Sequence, residues 1–241
     1  MTAQAYFVTG TDTDVGKTLI SSALLFKARQ RGASTAAVKP IACGTLLTPH
    51  GTLNEDAIAL HHQCSPALTL NDVNPLRFEA PTSPHIAAAE AGTALNVDVL
   101  LPPIVKVLNL QRRLTLIEGA GGWRVPLNDT DDLSDVAKAL ALPVIMVVGI
   151  KLGALNHAFL SYDAIVRDGL KVAGWVANSV APPSAAHRLD QYLGILNARI
   201  PAPCLGIVPF VPSASPADIA QYLDLDLLIK GTHRPPEQLP L

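Results

Sequence analysis

The chain has 241 residues, of which 49% are hydrophobic and only 16% charged, and its formal net charge is −2. That length and apolar content suit one large folded domain with a substantial core, and the charge excludes a general electrostatic attraction to nucleic acid or anionic membranes. Cys43, Cys64 and Cys204 lie far apart and form no CxxC pair, which argues against a disulfide framework and for a reduced, cytoplasmic protein. No basic segment followed by an apolar core opens the chain, so no signal peptide is expected. The longest apolar run, Ala139 to Ile150, contains Pro143 and is too short to span a bilayer.

In chain order, a short apolar run at Ala5–Val8 reads as a buried strand and enters the turn Gly10-Thr11-Asp12-Thr13-Asp14-Val15-Gly16, followed by Lys17-Thr18 and a helix over Lys17–Arg31. Strand, glycine-containing loop, Gly-Lys-Thr and helix together describe a phosphate-binding loop. Backbone N–H groups at the helix start face phosphate oxygens, Lys17 adds positive charge, and Thr18 can place its hydroxyl on Mg²⁺. Five residues, one more than usual, separate Gly10 from Gly16.

The next strand, Thr35–Val38, runs into Lys39-Pro40. Proline biases Lys39 toward an extended backbone, so the lysine would point from the strand's carboxyl end toward the phosphate loop and could stabilise charge in phosphoryl transfer. Read by itself, it is equally well a surface lysine ending an edge strand. A helix is expected over Asp56–His62, with Asp56 either a metal ligand or an ordinary acid of the first helical turn. His61, His62 and Cys64 have no standard metal-ligand spacing and read as a plain helix end.

Helices at Pro84–Ala91 and Val97–Leu110 precede the strand Leu114–Ile117, which ends in Glu118 before Gly119-Ala120-Gly121-Gly122-Trp123. A carboxylate there can bind Mg²⁺, while the glycines allow close backbone approach to a ligand. Trp123 reads as packing across the glycine run. Then come a helix at Ser134–Leu140, a strand at Val144–Val148 and a plain amphipathic helix at Ala154–Asp168. They are followed by a strand at Val172–Ala177 with the turn Asn178–Pro183, a helix at Ala185–Ala198, a strand at Cys204–Val208 and a helix at Pro216–Leu223. The tail 231–241, with three prolines, reads as loosely ordered. Continuous apolar strands alternating with helices imply an α/β fold of the P-loop NTPase kind: one domain over 1–241 with a mostly parallel sheet and helices on both faces. Ligands are then expected at the carboxyl ends of the strands.

Together these segments resemble the dethiobiotin synthetases, ATP-dependent carboxylases of biotin biosynthesis. The resemblance rests on Gly10 to Thr18, Lys39-Pro40, Pro81-Thr82-Ser83-Pro84-His85, Glu118 to Trp123, Lys151-Leu152-Gly153-Ala154-Leu155-Asn156-His157 and Gly174-Trp175-Val176-Ala177-Asn178. These matches cover most of the chain in the family's order, and the five-residue loop spacing is the family's own. The resemblance implies a reaction in which 7,8-diaminopelargonate takes up CO₂ as a carbamate. ATP phosphorylates the carbamate, and the neighbouring amine closes a cyclic urea, releasing phosphate. It implies catalytic roles for Lys39 and Lys17, and nucleotide contacts from Thr13, Asp14, Val15, Gly16, Lys17, Thr18 and Leu19. Further nucleotide contacts fall to Asp56, Glu118, Gly119, Ala120, Gly121, Asn178, Ser179, Pro209 and Phe210. Thr18, Asp56 and Glu118 would surround Mg²⁺. Thr13, Lys39 and Cys43 would meet the substrate, joined across a homodimer interface by the partner chain's Gly153, Ala154 and Asn156. Cys43 departs from the family's serine; it contacts substrate weakly or only fills space.

Two other readings share these loops. A partitioning ATPase with a deviant Walker loop would carry lysine where this chain has Asp12, the opposite charge. An amidotransferase-related synthetase would need a glutaminase domain, for which too little chain remains after residue 210.

Overall fold

The structure is a computed structural model that describes residues 3–48, 51–182 and 188–230. The chain folds through β1 (Gln4–Gly10), α1 (Lys17–Gln30), β2 (Thr35–Val38), β3 (Ile41–Cys43), β4 (Leu46–Thr48), β5 (Gly51–Leu53) and α2 (Glu55–His61). It continues through α3 (Leu70–Val73), β6 (Leu76–Phe78), α4 (Pro84–Glu90), α5 (Val97–Leu108), β7 (Leu114–Glu118), α6 (Leu133–Ala139) and β8 (Val144–Ile150). The last elements are α7 (Ala154–Arg167), β9 (Val172–Ser179), α8 (Leu189–Arg199), β10 (Cys204–Val208), α9 (Pro216–Ala220) and α10 (Leu225–Lys230).

The six expected strands form one all-parallel sheet in the order β10-β9-β8-β1-β7-β2. Side chains alternate between its two faces. Phe7, Ile117, Val144, Met146 and Val148 pack with α5, α6 and α7 on one side, while Tyr6, Val8, Leu116, Ile145 and Val147 pack with α1, α9 and α10 on the other. Both faces are covered, which is why the central strands read as unbroken apolar runs.

Register decides where the polar strand ends fall. Val8 pairs with Glu118, Val38 with Ile117, Gly10 with Val147 and Gly149 with Asn178. Gly10, Lys39, Glu118, Gly149 and Asn178 therefore share the carboxyl edge of the sheet. The chain moves from β1 to β2 in one direction and from β7 to β8 in the other, so the crevice at this reversal opens beside β1.

Several features differ from the sequence-based expectation, among them the short helices α3 and α10, which it does not contain. The parallel pair β3–β6 and the antiparallel pair β4–β5 consist of three-residue strands, too short to leave a periodic signal. The helix expected over Pro216–Leu223 stops at Ala220, because Leu223 bridges Gly206 and the Asp224 N–H donates to the Leu205 carbonyl at 2.6 Å, drawing the chain onto the sheet edge. Residues 185–187 of the helix expected over Ala185–Ala198, Pro183 of the turn before it and the tail 231–241 lie outside the described residues.

Candidate active site

The phosphate loop is built around the start of α1. Gly16 is the N-cap, with φ 88° in the left-handed region, and no side chain caps the helix. The first N–H groups of α1 thus remain available to a ligand. A Cβ on Gly16 would fall 2.3 Å from Asn178 Nδ2, and one on Gly10 would fall 2.6 Å from Val15 Cγ2, so both positions require glycine. Asn178 forms a wall of the loop: its buried Nδ2 donates to the Val15 carbonyl at 2.8 Å. Lys17 is buried, with Nζ 3.4 Å from the Asp12 carbonyl, and burial holds its ammonium below the usual lysine value despite the attraction of Glu118.

A second cluster forms beside this loop. Lys39 Nζ lies 2.9 Å from Asp56 Oδ2 and 2.9 Å from Glu118 Oε1, and the same Glu118 oxygen accepts the Thr18 hydroxyl at 2.6 Å. The Lys39 backbone is held from both sides, its N–H donating to the Val73 carbonyl at 2.6 Å and its carbonyl accepting from Asn74 Nδ2 at 2.7 Å. Lys39 and Glu118 are buried, and Asp56 is half-exposed. Burial acts to lower the Lys39 pKa, but the charges of Glu118 and Asp56 outweigh it and hold the group above the ordinary lysine value. Burial raises the Asp56 carboxyl, and the Lys39 charge more than offsets this, leaving it below the usual range. The arrangement is a fixed ammonium between two carboxylates.

These donors fit a magnesium ion. Glu118 Oε2 is buried and has no hydrogen-bond partner among the described residues. With Asp56 and the Thr18 hydroxyl it provides the hard oxygen donors that Mg²⁺ takes when phosphates complete its shell. Among the described residues there is no group of three His, Cys, Asp or Glu side chains suited to holding a metal by themselves.

A cavity of about 520 Å³ adjoins the cluster. It collects the expected Thr13, Asp14, Lys17, Lys39, Cys43, Asp56, Ala120 and Gly121, and adds Asn54 and the segment Pro81-Thr82-Ser83. Pro81 to Ser83 belonged to a recognised motif but carried no assigned role, because a short polar loop has no local signature of what it faces. Burial pushes the Cys43 thiol up, so it faces the cavity as a neutral group. Val15, Gly16, Thr18, Leu19, Glu118 and Gly119 lie in the adjoining phosphate loop and strand ends rather than in the cavity lining. Asn178 and Ser179 end β9, and Pro209 and Phe210 follow β10. Gly153, Ala154 and Asn156 form the start of α7, outside the cavity. Trp123 packs edge-on against Phe7 at 6.0 Å and donates its indole N–H to Asp168 at 2.8 Å. His61 Nε2 lies 2.7 Å from the Leu68 carbonyl, an ordinary helix-end contact.

A parallel sheet with an open, glycine-capped helix start beside a strand-end carboxylate defines a P-loop nucleoside triphosphatase fold. Solved structures agree at the level of fold. They include the cell division protein FtsY of Thermotoga maritima (12% identity, TM-score 0.52, 95% of this chain and 68% of that one) and a ParA family ATPase of Chlorobium tepidum (11%, 0.51, 95% and 90%). A family model described as an AAA domain matches residues 4–218. Much nearer in sequence is the ATP-dependent dethiobiotin synthetase BioD of Pseudomonas aeruginosa strain UCBPP-PA14, 55% identical over 92% of this chain and 96% of that protein. The protein of the same name from Pseudescherichia vulneris is 47% identical over 93% of each chain. The chain belongs to the dethiobiotin synthetase family, ATP-dependent ligases of biotin synthesis.

Proposed function

We propose that the chain converts 7,8-diaminopelargonate, CO₂ and ATP into dethiobiotin, ADP and phosphate, with Mg²⁺ held by Thr18, Asp56 and Glu118. The carrying observation is the Lys39 ammonium, 2.9 Å from two carboxylates at the meeting point of the phosphate loop and the cavity. In this reading the N–H groups from Thr13 to Leu19, with Lys17, hold the triphosphate, and the glycine run Gly119 to Gly121 lets the backbone approach it. Bound Mg²⁺ supplies charge neutralisation at the phosphates. The diamine lies in the cavity against Thr13, Cys43 and Pro81 to Ser83. Lys39 stays protonated, so it serves as a charge clamp between carbamate and transferred phosphoryl group rather than as a base.

Asn178 suits adenine. One Nδ2 hydrogen is spent on the Val15 carbonyl, which leaves one N–H and the Oδ1 acceptor to pair with an amino-purine edge. Ser179, Pro209 and Phe210, at neighbouring strand ends, would complete that pocket. Gly153, Ala154 and Asn156 would receive the substrate carboxylate of a partner chain in a homodimer. Free cysteines suit a cytoplasmic setting, and among the described residues no helix is long and apolar enough to cross a membrane.

Purified protein given MgATP, bicarbonate and the diamine should release phosphate and form dethiobiotin. Lack of diamine-dependent turnover, with ATP hydrolysis stimulated by DNA or lipid instead, would replace this reading with a partitioning switch. Lys39→Gln should lower turnover by about 10³-fold, the scale for losing one preorganised charge donor, while MgATP binding survives in a calorimetric titration. Equal loss of nucleotide binding would move Lys39 from the chemical step to the phosphate clamp.

A further inference from the structure

Asp12 stands on the phosphate loop with both carboxylate oxygens engaged. Oδ1 accepts the Thr13 N–H at 2.8 Å, and Oδ2 lies 2.7 Å from Lys151 Nζ. The His157 ring approaches the same oxygen, its Nδ1 3.9 Å away; that nitrogen is buried and has no hydrogen-bond partner among the described residues. Lys151 precedes α7 and His157 lies in its first turn, so one loop carboxylate is bonded to one side of this helix start and faces a ring on the other. Two more bonds set the level of the loop against the end of β8. The Thr11 N–H donates to the Val147 carbonyl at 2.9 Å, and the Gly149 N–H donates to Thr11 Oγ1 at 3.3 Å. Between these anchors the tip projects outward, with Leu152 93% exposed and Gly153 and Asn156 also exposed.

We infer that Asp12, Lys151 and His157 are positioning residues that set the α7 tip for the substrate of the partner chain. The inference rests on the reading above, in which Gly153, Ala154 and Asn156 receive the diamine's carboxylate across a dimer interface. Recognition of a carboxylate by a helix start depends on N–H groups held within fractions of an ångström. A half-exposed ion pair adds little to global stability, so removing it should disturb this placement without unfolding the protein. The same pairing gives Asp12 a purpose: lysine at this position would repel Lys151 and release the tip.

Steady-state kinetics on the full chain test both levels. Lys151→Met should raise the diamine KM about fivefold, with kcat, the MgATP KM and the Tm unchanged, and Lys151→Arg should restore it. Asn156→Asp, which sets an anion at the tip, should raise the diamine KM at least twentyfold. Mixing its chains with Lys39→Gln chains should restore a site of normal KM, because an intact Lys39 then works with its partner's intact tip. If Lys151→Met leaves the diamine KM unchanged, or shifts the MgATP KM instead, while Asn156→Asp behaves as expected, the positioning role alone is overturned. If Asn156→Asp has no effect, or the mixture restores nothing, the cross-interface reading falls and the inference falls with it.

Discussion

Helices α1 and α7 are both 14 residues long, and each starts from a left-handed glycine without a side-chain cap, Gly16 at φ 88° and Gly153 at φ 92°. Their surroundings are opposite. A Cβ on Gly16 would strike Asn178 at 2.3 Å, whereas one on Gly153 would meet no described atom within 4 Å. At Gly16 the missing cap leaves the first N–H groups free for an outside acceptor; at Gly153 the Ala154 N–H already donates to the Lys151 carbonyl at 3.0 Å, and the next ones, of Leu155 and Asn156, are left for it. In the proposed reading the difference lies in who completes the site. Around Gly16 this chain provides the wall, the buried lysine and the carboxylate. Around Gly153 the chain provides a placed but open helix end, where the proposed reading has a second chain's substrate complete the site.

The harshest way to break the comparison is Gly16→Ala. A methyl group both clashes with Asn178 and forces a side chain onto a left-handed backbone, so the loop must shift. MgATP binding should weaken by at least about 100-fold in a titration, because every phosphate-facing N–H moves together. Nucleotide affinity close to that of the unaltered chain would show that the loop rebuilds itself, and the contrast between enclosed and open helix starts would lose its meaning.

A milder change removes the wall and keeps the glycine. Asn178→Ala loses the 2.8 Å bond to the Val15 carbonyl, a buried contact. Binding of ATP should fall about tenfold, matching one buried polar interaction together with the lost base contact. Binding of inorganic triphosphate, which has no base, should fall by a smaller factor. If only ATP is affected, Asn178 reads the base and does not brace the loop; equal losses would mean the reverse.

The sequence exposed the first helix start far better than the second. Gly16-Lys17-Thr18 sits between an apolar run and a helix, which marks the loop locally, although its partners Glu118 and Asn178 come from distant strand ends. Lys39 and Glu118 were legible for the same reason: each ends a buried strand, and parallel register carries both to one edge. The approach of Asp56 to Lys39 was not, because the two short strand pairs between Ile41 and Phe78 leave no period to place α2 against β2. Still less visible was the Lys151–Asp12 pair, which joins half-exposed residues 139 positions apart. The stretch from His157 to Asp168 read as an ordinary amphipathic helix. Yet one end reaches Asp12 and the other, through Asp168, holds Trp123 and Arg124 beyond the glycine-rich turn. Long-range polar contacts of this kind are set by the finished packing, and hydrophobic periodicity carries no record of them.

Gly153→Ala is the smallest and sharpest test of the open end. Nothing described stands in the way of the methyl group, so the change costs only the strain of a left-handed residue, about 1–2 kcal/mol of stability. Thermal unfolding should therefore shift by about 2–8 °C. Nucleotide affinity should be unchanged, since the residue lies outside the phosphate loop and the cavity lining. The diamine KM should rise several-fold if, as proposed, the N–H groups tilted by a strained cap receive the substrate carboxylate. A loss of stability with no change in that KM would make Gly153 a turn residue alone. A loss of MgATP affinity would instead mean that the α7 tip reports back to the phosphate loop through Lys151 and Asp12. In the first case the two glycine caps share only geometry; in the second, the ion pair carries strain from the open end to the enclosed one.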